Sequence, residues 1–133
     1  MKMEIGEKLP ELVKEITQEG INAYAEATGD FNPIHVDENF ARNTPFKGTI
    51  AHGFYIFGFL SELMTRHFNK RWTNSGRIDV RFKRPVRPGD TIKVKATLVG
   101  REIIQDCAFL LFEIVWENQM LDPVIEGKAF IAE

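Results

Sequence analysis

The segment Ile50-Ala-His-Gly-Phe-Tyr-Ile-Phe-Gly-Phe-Leu60 is apolar on nearly every side of the helix it would form. A helix of that kind belongs in a protein core or a bilayer, not on a surface. Its apolar run is roughly half of the ~20 residues that a bilayer span needs, and Ser61, Glu62 and Arg66 follow directly. The segment is therefore expected to be a buried central helix over residues 50–68, and the rest of the chain must supply its cover.

The cover lies downstream. After Asn74-Ser-Gly76 the hydrophobic period changes to two, the mark of a half-buried strand. Ile78, Val80 and Phe82 alternate with charged residues, and after the turn Arg84-Pro-Val-Arg-Pro-Gly-Asp90, Ile92, Val94, Ala96 and Leu98 do the same. Residues 105–117 read as a longer strand, with Leu110, Phe112, Ile114 and Trp116 on one face and Phe109, Leu111, Glu113 and Val115 on the other. Apolar residues on both faces ask for cover on both, which points to contact with another copy of the chain. A turn at Met120-Leu-Asp-Pro123 leads to a last strand over 124–132, and residues 3–9 can form a short strand or arm. Helices first and consecutive antiparallel strands second make an α+β chain, with a sheet of about five strands curled around the helix.

Composition narrows the classes. At 133 residues, 44% hydrophobic and 27% charged, the chain fits one globular domain over 1–133. A net charge of −2 gives no general attraction to nucleic acid or an anionic membrane. The single cysteine, Cys107, precludes an internal disulfide and suits a reducing cytoplasm; within its apolar run it is expected to be buried and inert. Residues 1–7 are charged and carry no targeting signal. GxGxxG, P-loop and nucleophile-elbow motifs are absent.

The chemistry concentrates in Thr28-Gly-Asp-Phe-Asn-Pro-Ile-His-Val-Asp37. Thr17 is placed to cap a helix over Gln18–Thr28 that Gly29 ends, with Ile21, Tyr24, Ala25 and Thr28 as its packing face. Asp30 then lies just past the helix. Asn32, ahead of Pro33, is driven to extended geometry, which carries His35 back round the bend. Asp37 can cap a second helix over 38–43, with Phe40 and Ala41 facing inward. A carboxylate and an imidazole on one bend can share a water, one taking its proton and the other orienting it. From spacing alone Asp30 could equally be a turn residue and His35 a loop histidine. Gly53, at the start of the central helix, could leave its backbone N–H open to an oxyanion or serve only helix packing. Ser61 could bond the carbonyl four residues back or touch the site. Asp30, His35, Asp37 and His52 are metal-ligand types, but no ligand spacing supports a metal. Arg66, His67, Lys70 and Arg71 suit a helix carboxyl end or ligand phosphates.

The run from Tyr24 to Asp37, with Ala41, Thr44, Phe46 and Ile50-Ala-His-Gly53, resembles the hydratase signature of MaoC-like, (R)-specific enoyl-CoA hydratases, and Pro85-Val-Arg-Pro-Gly-Asp90 is similar to that family's next block. The resemblance implies a hot-dog fold, an antiparallel sheet wrapped around a long central helix, in dimers or larger homo-oligomers. It implies a hydro-lyase that interconverts trans-2-enoyl and (R)-3-hydroxyacyl thioesters. Asp30 and His35 would activate one water and the Gly53 N–H would hold the thioester oxygen, with Asn32 and Ser61 in support. No cofactor or metal is implied; coenzyme A or acyl carrier protein is the carrier of the substrate. Arg84 and its basic neighbours could meet coenzyme A phosphates, and Phe54 with the other helix aromatics could narrow the acyl site toward short chains. The alternatives are a hot-dog thioesterase, which usually lacks the Asp-x-Asn-Pro-x-His run, and a non-catalytic acyl-thioester-binding module.

Overall fold

The computed structural model describes residues 2–133. Its strands are β1 (Leu12–Glu15), β2 (Arg77–Phe82), β3 (Thr91–Ile104), β4 (Cys107–Glu117) and β5 (Pro123–Ala132), and they form one sheet in the order β1-β3-β4-β5-β2 with every neighbouring pair antiparallel. Alternation decides which face is inside: Ile92, Val94, Ala96 and Leu98 of β3 and Leu110, Phe112, Ile114 and Trp116 of β4 are buried. Against that face lie α4 (Gly53–Phe57), α5 (Phe59–Phe68) and α6 (Lys70–Ser75), with Ile56, Leu60, Leu63, Met64 and Trp72 in the same core. The sheet around a central helix is the hot-dog arrangement.

The central helix is not one rod. Residues 50–52 lie outside any helix, the helix tightens at Gly58, where the Ser61 N–H bonds the Gly58 carbonyl (3.0 Å), and Asn69, at φ 51°, separates α5 from α6. The interruption at Gly58 is used by the sheet, because the buried Trp116 indole N–H donates to the Ile56 carbonyl at 2.9 Å. A buried indole N–H needs such a partner.

Other expectations shift. The first strand is Leu12–Glu15, while residues 3–9 form an arm along β3, with a bridge from Lys8 to Thr97 and the Gly6 N–H donating to the Leu98 carbonyl (2.7 Å). Gln105 and Asp106 form the hairpin turn between Ile104 and Cys107, both at positive φ (50° and 66°), as a two-residue turn of type I′ requires. Cys107 is consequently exposed at the hairpin end rather than buried. Of the pair expected inside in α3 (Glu38–Arg42), Ala41 is buried but Phe40 is 49% exposed. On the second face of β4, Phe109 is covered within the chain, the Arg77 guanidinium lying 5.0 Å over its ring. Among the described residues no helix is long and apolar enough to cross a membrane.

Candidate active site

Local capping builds the site. Thr17 accepts from the Gly20 N–H (3.0 Å) at the start of α1 (Gln18–Thr28), and Gly29, at φ 79°, ends it in the left-handed region. That region carries little penalty only for glycine. The chain then turns through two side-chain acceptors in succession: Asp30 Oδ1 takes the Asn32 N–H (3.2 Å) and Asn32 Oδ1 takes the Ile34 N–H (3.3 Å). Asn32 thus caps α2 (Pro33–Val36), a single turn that carries His35. Asp37, capping α3 through the Phe40 N–H, ends the bend.

A second segment, residues 49–52, closes on the first. His35 Nδ1 donates to the Ile50 carbonyl (2.8 Å), and the Ile50 N–H donates to the Ile34 carbonyl (3.2 Å). A carbonyl only accepts, so the neutral His35 ring carries its proton on Nδ1 and leaves Nε2 bare. Gln18 secures the same region, donating to the His35 carbonyl (2.8 Å) and accepting from the Thr49 hydroxyl (2.7 Å). The Ala51 N–H reaches the Val86 carbonyl (2.7 Å), and His52 Nε2 donates to the Asp30 carbonyl (2.9 Å). Asp30, His35 and His52 each place a polar atom within 4.8 Å of the others.

That cluster suits protons better than a metal ion. His52 Nε2 and His35 Nδ1 are committed to carbonyls, and the two rings stack at 3.9 Å with planes only 28° apart. Lone pairs lying in nearly parallel planes do not converge on one cation.

His35 and Gly53 share a cavity of about 380 Å³, whose other walls include Phe46, Ile56, Phe82, Arg84 and Val86. Asp30 is exposed beside His35 and is not itself one of the cavity walls. Gly53 is the first residue of α4, so its N–H has no preceding helical carbonyl to bond. A Cβ there would lie 3.2 Å from the Phe82 ring, so glycine also lets that ring approach.

The remaining sequence candidates divide. Arg84 borders the cavity and makes no ion pair among the described residues, whereas its neighbour Lys83 pairs with Glu126 at 2.9 Å. Phe54 is 69% exposed outside the cavity, edge-on to Phe57 and Phe82. Ser61 neither bonds the carbonyl four residues back nor lines the cavity; it accepts from the Trp72 indole at 3.2 Å. Arg66 pairs with Glu62 and Arg71 donates to the Ala132 carbonyl, so both serve the fold. Gln18, Thr49 and the orienting contact of His52 escape sequence reasoning, since nothing in their spacing links them to the bend.

The fold and motif have counterparts in known proteins. A family model described as MaoC like domain matches residues 2–109. The chain is 41% identical over 88 residues to a 3-hydroxybutyryl-CoA dehydratase of Methylorubrum extorquens, covering 63% of this chain and 54% of that protein. It is 36% identical over 124 residues to an (R)-specific enoyl-CoA hydratase of Rhodospirillum rubrum, covering 90% of this chain and 81% of the relative. The chain thus spans about half of the first relative and most of the second. An R-hydratase structure from Pseudomonas aeruginosa superposes with a TM-score of 0.81 at 28% identity, covering 97% of this chain and 81% of that one. Motif, architecture and the extent of the match agree, and the chain belongs to the MaoC-like domain family.

Proposed function

We propose that the protein catalyses the reversible hydration of trans-2-enoyl thioesters to (R)-3-hydroxyacyl thioesters. The observation that carries this reading is the meeting of the Asp30 carboxylate and a ring nitrogen of His35, within 4.8 Å of each other, with His35 lining a cavity that Gly53 also walls. A water donating one O–H to Asp30 and the other to His35 Nε2 keeps an oxygen lone pair for the substrate's β-carbon. As the C–O bond forms, one proton passes to the pair and the alkene electrons move to the thioester oxygen as an enolate. The Gly53 N–H is suited to hold that oxygen, where one such donor is worth roughly 2.7–4 kcal/mol. Return of the proton to the α-carbon completes the addition, and dehydration is the reverse path. The pair acts as a unit, so neither residue is singled out as the base.

Support comes also from the relatives, whose names are those of hydratases and dehydratases. Arg84 at the cavity mouth, free of ion pairs, is placed for a phosphate of coenzyme A or of a carrier-protein arm. Phe54 and Phe82 make an apolar rim beside it, and Asn32 holds the bend. The buried core runs from Leu9 to Ile131, which fits a single domain over 1–133, and the lone free Cys107 suits the reducing cytoplasm. A homodimer or higher homo-oligomer belongs to the same reading, because β2 pairs with β5 on one side and leaves its other edge open.

The test mixes the protein with crotonyl-CoA and follows enoyl-thioester absorbance beside a free-thiol assay. Loss of the alkene signal without thiol is the expected result. Thiol release with the alkene intact would make the protein a thioesterase, and binding without either signal would make it an acyl-thioester-binding module.

A further inference from the structure

His52 is the buried titratable side chain to which the proposed chemistry gives no part. It is 2% exposed, at the junction of the 49–52 segment and α4. Its Nε2 lies 2.9 Å from the Asp30 carbonyl oxygen, which can only accept, so Nε2 carries the ring proton. Its face lies 3.9 Å from the His35 ring, and the Tyr24 ring stands 4.7 Å away, tilted by 53°. One side chain therefore touches both members of the pair, the first through a hydrogen bond and the second through its face.

The other nitrogen, Nδ1, is buried without a hydrogen-bond partner among the described residues. An unpaired buried acceptor is a cost that an apolar ring of similar shape would not carry. Packing alone would be met better by phenylalanine. What imidazole adds is the Nε2 donor, and that donor is spent on the backbone of Asp30.

We infer that His52 is a positioning residue for Asp30 and His35, an inference resting on the hydration reading above. Its Nε2–H fixes the Asp30 backbone, and hence the direction of the carboxylate, while its face fixes the plane of the His35 ring. The separation between the two reacting groups is thereby set from behind, by a residue that is not a wall of the cavity. A displacement on the order of 1 Å at a reacting group can cost ~10²-fold in rate.

Three variants separate the contacts. His52→Phe keeps a stacking ring and removes the donor. His52→Gln returns an amide N–H near the place of Nε2, and His52→Asn offers one only near Nδ1, too far back to reach. With crotonyl-CoA, kcat should fall ~10²-fold in the Phe and Asn variants with KM within about 3-fold, and Gln should recover to within about 10-fold. The Phe variant should melt no lower than the wild type, which a merely structural role would not give. A readout independent of turnover is amide exchange at Asn32, whose N–H bonds Asp30 Oδ1; it should quicken by about 10-fold in the Phe variant and not in the Gln variant.

Wild-type and Asp30→Asn turnover measured alongside keep the two possible failures apart. A wild type inactive on enoyl thioesters removes the hydration reading and leaves the exchange measurement to judge His52. Any one of four results overturns the positioning role: near-normal kcat in His52→Phe, equal losses in Phe and Gln, unchanged exchange at Asn32, or a Phe variant that does not fold.

Discussion

Asp30→Asn retains a side-chain oxygen for the Asn32 N–H, now 3.2 Å from Oδ1, so the bend should hold while the carboxylate is lost. His35→Ala removes the bare Nε2 together with the contact to the Ile50 carbonyl. Each is expected to lower turnover by at least ~10²-fold, the usual scale for a positioned acid or base. The double variant should be little worse than the worse single one, because groups acting as a unit are not additive; steady-state kinetics on a folded sample, checked by circular dichroism, reads both. Gly53 allows a sharper comparison. His52, at ψ 132°, already has the extended backbone that a following proline demands, and proline is tolerated at the first helical position. Gly53→Ala and Gly53→Pro both crowd the Phe82 ring, but only proline removes the N–H. The proline variant should therefore fall below the alanine variant by ~10²–10³-fold in kcat if that N–H holds the oxyanion. At this scale the sequence showed which residue types share the bend, and only the structure showed that Gln18, Thr49 and His52 hold it. Those three contact it across the fold, Thr49 through Gln18 and the others directly, and no local pattern encodes a contact between residues 18 and 35 or 30 and 52.

Among the elements, strands with clean alternation could be read from the sequence and irregular joints could not. The inner faces of β3 and β4 followed from period two because a one-residue slip would expose every buried side chain. The Gln105–Asp106 turn lacks the glycine that usually marks positive φ, so the sequence reading began the strand at Gln105, inside the turn. β1, four residues long, offers too short a run to show a period. The tightening at Gly58 was hidden because apolar residues continue on both sides of it. Trp116 gives that joint an energetic reading. Trp116→Phe keeps an aromatic ring facing Phe57, now stacked at 6.3 Å, but takes away the donor to the Ile56 carbonyl. It should cost about 1–3 kcal/mol of stability in denaturant unfolding, with a larger loss of about 2–5 kcal/mol for Leu63→Ala, which opens a cavity in the core.

For the whole molecule, composition said little beyond its class, and the long motif from Tyr24 to Gly53 supplied the fold and pointed to the proposed activity. The curled sheet explains why the two halves of that motif must come together: wrapping α4 and α5 brings the start of α4 beneath the bend after α1. The sheet also ends in an open edge at β2, with Ile78 and Phe82 partly exposed. Unpaired backbone groups on such an edge are a template for a second strand. Light scattering should accordingly give a mass of at least twice the chain's 15.3 kDa, and a monomer at micromolar concentration would contradict an assembly through β2. The central claim, however, is the chemistry of the bend, and one measurement bears on it most directly: hydration of crotonyl-CoA by the wild type and by Asp30→Asn, with chiral analysis of the product. The account predicts (R)-3-hydroxybutyryl-CoA from the wild type and at least ~10²-fold less of it from the variant. Equal rates in the two proteins, or an (S) product, would contradict it.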